Sequence, residues 1–504
     1  MTNRDIQEEA METLNASMTH PVDRPVRVAQ FGEGNFLRAF VDYMVDLANE
    51  KGVFNGSVVL IKPIAFGSLD NFKKQDCQYT LQLRGRVNGQ PYKETRQITC
   101  VKDIVSPYDD YDRYISIARI PTLRFVVSNT TEAGIVFHAE DRFEEKLNIT
   151  FPAKLTQFLY ARYEEFHGDP EKGLVMLPVE LIDDNGIELH KDVLKYIDLW
   201  KLPEGFRSWV EDACIFTSTL VDRIVTGWVR DEKERNAIYE EIGYVDNLLD
   251  TAEPFALWVI ESKKDISKEW PMDRALAGKE GMNVIFTDNQ KPYKQRKVRI
   301  LNGAHTSFVL ASYLKGNDFV NQSMKDPIIR DFMMHTIHDE VIPTLTLPRQ
   351  DLEDFANAVV DRFNNPFIQH SLLAISLNSV SKWRARCLPS LLGYVDKYHR
   401  LPEHMTFSIA ALMAFYSSDE KGEGCLKGHR GSDVYDIKDD AAVLDFFASE
   451  CRKDTRTFVH DYLSREDFHG QDLTKIDGLE DRVCEYLDAI RRDGMQKTLE
   501  TYFG

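Results

Sequence analysis

Residues 26–40 read VRVAQFGEGNFLRAF, and this stretch decides the fold of the N-terminal half. Val26–Phe31 has the pattern of a short buried strand, and a glycine turn follows it directly. From Phe36 to Glu50 apolar residues recur at helical spacing. Ser57 to Ile64 then contains a second apolar run that is short enough for a strand. The order strand, turn, helix, strand predicts the opening unit of a doubly wound parallel sheet.

The glycine turn is the first candidate binding site. Gly32 permits a tight turn, and Gly34 lets a pyrophosphate approach the backbone at the start of the helix. Free N–H groups and the helix dipole attract negative charge there. Leu37 stands where the usual dinucleotide motif has its third glycine, and Arg38 follows it as a candidate phosphate contact. An ordinary strand–helix turn is the alternative.

The residues after the second strand leave the choice between NAD and NADP open. A carboxylate at this place binds the ribose 2′-hydroxyl and favours NAD. Here the strand leads into Lys62 and Pro63, while Asp70 and Asp76 lie further along the chain. A lysine at this position suits a 2′-phosphate or is simply solvated.

Two further apolar runs end in polar residues. Arg124 to Ser128 leads into Asn129, and Gly173 to Pro178 is followed by Glu180. Ligands of an open α/β sheet bind at the carboxyl ends of its strands. We therefore expect these polar residues near the same edge as the glycine turn.

Helical spacing dominates after about residue 185. We expect the chain to divide after residue 285 into a Rossmann-type α/β domain, residues 1–285, and a mainly α-helical domain, residues 286–504. The Gly-rich, charged stretch from Ser417 to Gly431 is predicted as a surface loop. The segments predicted as helices include 191–200, 255–261, 304–314, 352–363, 367–377, 407–416 and 441–447.

The composition narrows the classes of partner. The 504 residues include 62 Lys and Arg and 81 Asp and Glu, which gives a formal net charge of −19. A chain this acidic is a poor candidate for binding nucleic acid or an anionic membrane surface. Seven widely spaced cysteines and a polar N-terminal segment without a signal-peptide pattern favour reduced thiols and a cytoplasmic location.

Residues 297–305, KVRILNGAH, carry the most informative side chains. On an α-helix Lys297, His305 and Asn302 lie at about 0°, 80° and 140°, so they share one face. A lysine can exchange a proton, an amide can hold a carbonyl oxygen, and a histidine can orient a hydroxyl. Together these groups could reduce a ketone without a metal. The alternative is a basic helix with a capping histidine.

At this point the chain resembles the polyol-specific long-chain dehydrogenases, the mannitol dehydrogenase family. The family signature K-x-x-x-x-N-x-x-H is reproduced by Lys297, Asn302 and His305. The resemblance extends over roughly residues 25–500. Within the family the chain looks closest to a branch that reduces ketouronates. Other matching segments are 30–42, 128–135, 218–227, 291–306 and 362–366.

The resemblance implies an NAD-dependent enzyme without zinc, with the site between a Rossmann-type domain and a helical domain. Lys297 would be the general acid in ketone reduction, and Asn302 and His305 would bind the reacting oxygen and a neighbouring hydroxyl. The implied cofactor-binding residues are Gly32, Gly34, Asn35, Phe36, Arg38, Asn129, Thr131, Glu132 and Asp222.

One departure from the family points to the substrate. Polyol dehydrogenases of the family have a second asparagine where this chain has Leu181, directly after Glu180. A substrate that bears a carboxylate, such as a hexuronate, fits this difference. The candidate substrate-binding residues are Lys382, Arg362, Arg384 and Glu180, with Arg386 as a further candidate anchor.

Three alternatives stay open. The chain could act on a different ketouronate, on a neutral polyol such as mannitol, or could be a non-catalytic nucleotide-binding protein. His335 and His338 stand at helical spacing, but a third metal ligand is missing, so a structural role is favoured and no metal is expected.

Overall fold

A computed structural model describes residues 11–131 and 133–504. The chain forms two compact units, the first ending at Gln290 and the second beginning at Lys291. The expected division after residue 285 falls inside a strand, Met282–Thr287, that belongs to the first unit.

A six-stranded parallel sheet organises the first unit, in the order β5-β2-β1-β6-β7-β8. Its central strand β1 begins at Val26, as the sequence predicted. Successive residues of this strand enter different cores, because Val28 packs on one face and Ala29 on the other. Both faces are therefore covered, as in a doubly wound fold. The strands of this sheet are β1 Val26–Phe31, β2 Ser57–Ile61, β5 Val101–Val105, β6 Phe125–Ser128, β7 Val175–Pro178 and β8 Ile215–Phe216. Strands β3 Tyr79–Val87 and β4 Gln90–Ile98 belong to another sheet.

Helices cover this sheet. Several begin with side-chain caps: Thr150, for example, accepts a hydrogen bond from the backbone of Ala153. The described α-helices are Ala16–Thr19, Asn35–Leu37, Tyr43–Glu50, Asp70–Lys74, Tyr111–Ala118, Phe151–Glu165, Asn185–Leu199, Glu204–Asp212, Glu232–Ile242 and Met272–Leu276. Arg38–Asp42 is a π-helical segment and Pro170–Lys172 a 3₁₀ turn.

Two small sheets complete the first unit and correct one prediction. They have the orders β10-β3-β4 and β12-β11-β9. The run 255–261, predicted as a helix, forms β11, which is buried between β9 and β12. Its β-branched and aromatic residues suit a strand, and seven residues are too few to separate the two periodicities. These strands are β9 Ser218–Asp222, β10 Asp250–Ala252, β11 Ala256–Glu261 and β12 Met282–Thr287.

The second unit is mainly helical, as expected. Its described α-helices are Lys291–Arg296, Gly303–Lys315, Val320–Ser323, Pro327–His335, Arg349–Phe363, Leu372–Ile375, Ser379–Arg386, Leu388–Tyr398, Glu403–Tyr416, Ala441–Glu450, Thr455–Leu463, Glu466–His469, Leu479–Asp493 and Met495–Phe503. Lys297–Asn302 and Thr336–Val341 are π-helical, and Ile342–Thr344 and Leu473–Lys475 are 3₁₀ turns.

Two predictions for the second unit were wrong in part. The segment 417–431 is not only a loop, because it supplies β13 Lys421–Gly422 and β14 Cys425–Arg430, which pair with β15 Asp433–Ile437. Gly428 is required there because a Cβ atom would overlap the ring of Tyr435. The segment 367–377 is helical only over Leu372–Ile375.

No helix among the described residues is long and apolar enough to cross a membrane. All seven cysteines lie in the described part of the chain and are free thiols, six of them buried.

Candidate functional site

The glycine turn lies at the carboxyl end of the central strand β1. Gly32 has φ of +137°, and a Cβ atom there would lie 2.8 Å from Cδ1 of Leu37. Gly34 precedes the helix as its N-cap with φ of −70°. A Cβ atom on Gly34 would meet no atom of the described residues within 4 Å. Gly32 is therefore required by the turn itself, whereas Gly34 borders open space that a ligand can enter.

Two side chains that follow the glycine turn, Phe36 and Arg38, contact other residues of the first unit. Arg38 is buried, and its guanidinium donates to the carbonyl of Leu248 (2.6 Å) and to Oδ1 of Asn35 (2.5 Å). Asp250 lies 3.8 Å from the same guanidinium. Phe36 stacks on Phe40 with ring centroids 5.0 Å apart. Arg38 begins the π-helical segment, and its buried guanidinium fixes Asn35 at the start of the helix.

The loop after β6 is fixed by Glu180. One carboxylate oxygen of Glu180 accepts from Ser128 Oγ (3.1 Å), and the other accepts from the backbone N–H (3.0 Å) and Oγ1 (2.9 Å) of Thr130. Burial raises the pKa of Glu180, and these hydrogen bonds oppose the shift. Glu180, predicted as a substrate contact, is placed as a support of the 128–131 loop.

The outer side of that loop borders a cavity of about 430 Å³, which is lined by Asn129, Thr131, Ala133 and Leu181. Leu181 is 64 % exposed, although it is apolar. Thr131 has φ of +72°, an unusual value for a β-branched residue that recurs at functional positions. Glu132, which was also predicted to bind cofactor, lies outside the described residues.

Asp222 ends β9 and is buried. The residue after it was not predicted. Arg223 donates to the carbonyl of Ala39 (2.5 Å) and to that of Phe255 (3.0 Å). It therefore ties the π-helical segment after the glycine turn to the residue that precedes strand β11. Arg223 lies within the segment 218–227 that matches the family, but a local pattern does not reveal which carbonyls an arginine meets.

In the second unit Lys297, Asn302 and His305 lie on one continuous helical segment that begins at Lys291. The prediction assumed α-helical angles throughout, which was wrong for part of it, because Lys297–Asn302 is π-helical. In a π-helix the hydrogen bonds run from i to i+5, and such segments are common at functional sites. The wider turn brings Asn302 nearer to alignment with Lys297 than the α-helical angle of about 140°.

Small residues after the π-helical segment let a second helix approach. A Cβ atom on Gly303 would lie 3.3 Å from the carbonyl oxygen of Arg386. Arg386 ends the helix Ser379–Arg386, and its guanidinium donates to Oγ1 of Thr306 at 3.3 Å. Gly303 therefore allows the two helices to lie close together.

His305 lies in an aromatic setting. Its ring stacks on Phe363, with centroids 4.2 Å apart, and stands perpendicular to His370 at 5.3 Å. Nε2 of His305 is buried and has no hydrogen-bond partner among the described residues. Burial holds the pKa of His305 well below its usual value, and nearby positive charges act in the same direction. His305 is therefore a neutral imidazole that can bind a polar group of a ligand.

After burial, the groups that lower the pKa of His305 are the neighbouring His370 and three cationic residues, Arg362, Arg386 and Lys382. Lys382 donates to the carbonyl of Ile375 (2.9 Å), and burial together with Arg386 lowers its pKa. Arg384, predicted with them, is exposed and directed elsewhere, because it approaches the carbonyl of Asp467 at 3.4 Å. We name Lys382, Arg386, Arg362, His305 and His370 the imidazole–cation cluster.

The histidines set aside as structural have separate partners. His335 contacts Asp339 (2.7 Å), and His338 contacts Glu353 (2.5 Å). Within the described residues no group of three or more His, Cys, Asp and Glu side chains could hold a metal ion.

A parallel nucleotide-type sheet with a glycine turn, followed by a helical unit carrying Lys, Asn and His on one helix, defines a class of two-domain dehydrogenases. Family models agree. Residues 26–274 match the mannitol dehydrogenase Rossmann domain, and residues 289–491 match the mannitol dehydrogenase C-terminal domain. The chain belongs to the mannitol dehydrogenase family.

Similar proteins add detail. Altronate oxidoreductases of Escherichia coli O7:K1 (strain IAI39 / ExPEC) and of Shigella flexneri are each 43% identical over 496 residues, covering 97% of this chain and 99% of the relative. The ternary complex of Pseudomonas fluorescens mannitol 2-dehydrogenase with NAD and D-mannitol has 22% identity and a TM-score of 0.64, covering 97% of this chain and 99% of that one. A substrate-free D-sorbitol dehydrogenase has 19% identity and a TM-score of 0.77, covering 97% and 100%. These two structures share the fold.

Proposed function

We propose that this enzyme interconverts D-tagaturonate and D-altronate with NAD, as a cytoplasmic step of hexuronate catabolism. The observation that carries the proposal is the imidazole–cation cluster, which gathers Lys382, Arg386 and Arg362 around His305 in a chain of net charge −19. The altronate oxidoreductases, 43% identical over nearly the whole chain, support the same substrate. The ligands are small anions, and neither nucleic acid nor a membrane is needed.

The glycine turn fits a dinucleotide. Gly34 borders open space at a helix start, and Gly32 holds the positive φ that brings the backbone there. Backbone N–H groups at that position would bind the pyrophosphate. NAD is the ligand named for the Pseudomonas fluorescens relative, and when bound it supplies or accepts the hydride.

Lys297 would deliver the proton to the keto oxygen during reduction and remove it in the reverse direction. Asn302 would donate its amide N–H to the same oxygen as negative charge develops. His305, neutral and with Nε2 unpartnered among the described residues, would bind the reacting oxygen or the hydroxyl beside it. These roles need no metal.

The substrate carboxylate would be held by Lys382 with Arg386. Both lie on the helix Ser379–Arg386, four residues apart and so on the same face. Arginine pairs with a carboxylate through two parallel hydrogen bonds, which a neutral polyol cannot accept. Arg362, at the end of Arg349–Phe363, adds positive charge from a second helix.

The test is a panel of substrates, with the reduction of each one measured as the loss of NADH absorbance. D-Tagaturonate is expected to be reduced with the highest kcat/KM, ahead of D-fructuronate, D-fructose and ketose phosphates. Lys382→Ala is expected to raise KM for D-tagaturonate about tenfold to a hundredfold, since it removes one charge of the anchor. Lys397→Ala, on the neighbouring helix Leu388–Tyr398, is the matched control.

Two results of the substrate panel would contradict or change the proposed function. A purified enzyme that oxidises NADH with none of these compounds would refute the enzymatic proposal. A preference for D-fructuronate would keep the reaction and change the substrate; this is the second candidate, because a carboxylate anchor by itself does not distinguish the two ketouronates.

A further inference from the structure

His370 was not singled out by any motif, yet the fold holds it firmly beside His305. Its carbonyl accepts the N–H of Val320 at 3.0 Å. The next residue, Ser371, forms a β-bridge with Phe319 and caps the helix Leu372–Ile375. The backbone of His370 is thus tied on one side to the segment 318–320 and on the other to a helix start.

The ring of His370 shares the surroundings of His305. The two imidazoles stand at 86° with centroids 5.3 Å apart, while Phe363 stacks on His305 at 19°. Phe363 covers one side of His305 without offering a hydrogen-bonding atom. Among the described aromatic rings that contact His305, which are Phe308, Phe363 and His370, His370 is the one that carries hydrogen-bonding atoms.

The members of the imidazole–cation cluster differ in charge, and this difference determines which group of a ligand each can bind. Lys382 lies close enough to His370 to lower its pKa, in addition to the larger effect of burial. His370 and His305 are therefore neutral near pH 7, whereas Lys382 and Arg386 supply positive charge. A neutral imidazole carries one donor and one acceptor, which suits a hydroxyl group better than a carboxylate.

We propose that His370 contacts the substrate and reads the configuration of a hydroxyl group between the carbonyl carbon and the carboxylate. His305 lies at the reacting end and Lys382 at the carboxylate end, and His370 is close to both. The hydroxyl-bearing carbons of a ketohexuronate occupy this interval. The inference rests on the proposed function and adds the residue that selects among ketouronates.

If His370 had only a structural role, its variants would behave differently. If His370 only packs against His305, Phe at this position keeps the perpendicular ring contact and preserves activity. If it binds a hydroxyl, His370→Phe loses the hydrogen bond, whereas His370→Asn keeps one donor and one acceptor. The pair of variants therefore separates packing from recognition.

The experiment measures kcat and KM for D-tagaturonate and D-fructuronate with the full-length enzyme and NADH. For His370→Phe, kcat/KM for the preferred ketouronate is expected to fall about tenfold to a hundredfold, and the preference between the two ketouronates to shrink. His370→Asn is expected to recover part of both. His335→Asn, which alters an exposed imidazole paired with Asp339, is the matched control.

Three results would overturn the inference while the proposed function stands: wild-type kinetics in His370→Phe, an equal loss on both ketouronates, or no difference between the Phe and Asn variants. A wild-type enzyme inactive with both ketouronates would refute the proposed function itself. Binding of NADH, followed by its fluorescence, is expected to be the same in all variants and shows that they are folded.

Discussion

The glycine turn of the first unit and the imidazole–cation cluster of the second are built from different parts of the chain. The turn uses backbone, at the end of one strand and the start of one helix, and its two glycines are two residues apart. The cluster uses side chains from several helices, and its members span residues 305 to 386. A backbone site recognises what many ligands share, such as a pyrophosphate. A side-chain site recognises what distinguishes one ligand from another.

The largest expected effect tests the chemistry of the second unit. Lys297→Ala removes the proposed general acid, and kcat for ketouronate reduction is expected to fall about a hundredfold to ten-thousandfold. NADH affinity, which depends on the first unit, should stay unchanged. Steady-state kinetics and NADH fluorescence measure the two quantities, and Lys294→Met on the same helical segment is the control. An enzyme that keeps most of its kcat without Lys297 would invalidate the proton-transfer role.

The next effect separates two arginines of one helix. Arg386→Ala is expected to raise KM for D-tagaturonate about tenfold to a hundredfold, because this guanidinium lies in the cluster. Arg384→Ala should change KM less than twofold, because Arg384 approaches Asp467 on another side. The ratio of the two KM values is the measurement. Equal effects would show that the cluster does not define the anchor.

The glycine turn allows a similar contrast between neighbours. Gly34→Ala is expected to leave the free energy of unfolding unchanged, since φ is −70° and there is room for a Cβ atom, yet to weaken NADH binding about tenfold. Gly32→Ala is expected to lower the free energy of unfolding by about 1–3 kcal/mol through its positive φ and the contact with Leu37. Urea unfolding and NADH titration give both numbers. Unchanged NADH affinity in Gly34→Ala would remove this turn as the pyrophosphate site.

The smallest effect concerns pH and has opposite signs in the two regions. Burial raises the pKa of Asp42, in the helix after the turn, to about 7. The folded state then holds this proton more tightly than the unfolded state, so stability is lost as the pH rises through about 7, by about 1 kcal/mol between pH 6 and 8. For His305, whose pKa is lowered, stability is lost as the pH falls below about 6.5.

Urea unfolding across pH 5.5–8.5 measures both contributions. Asp42→Asn is expected to remove the loss at high pH, and His305→Asn the loss at low pH. If Asp42→Asn leaves the slope between pH 6 and 8 intact, another group is responsible for it.

The two regions also differ in how far the sequence predicts them. The strand, the turn and the helix at residues 26–50 were predicted because each is local and its period is distinct. The π-helical segment at Lys297–Asn302 was not, since one residue more per turn leaves no mark in the spacing of apolar residues. The roles of His370 and Arg223 depend on which distant backbone atoms and rings they meet, and Arg384 and Arg386 look alike until the helix is placed. Strand β11 was mistaken for a helix because its seven-residue run fits both periods.

The cluster has a consequence for how ligands arrive. The whole chain carries a formal charge of −19, and both proposed ligands are anions. At a distance the field of the protein opposes their approach, and attraction begins only within about a Debye length, roughly 8 Å at physiological ionic strength, of the cationic side chains. Added salt would then act in two directions, speeding the encounter by screening the repulsion while weakening the final ion pairs. Binding of an anionic ligand to such a protein depends on the short-range contacts of the cationic side chains and not on long-range attraction by the whole molecule.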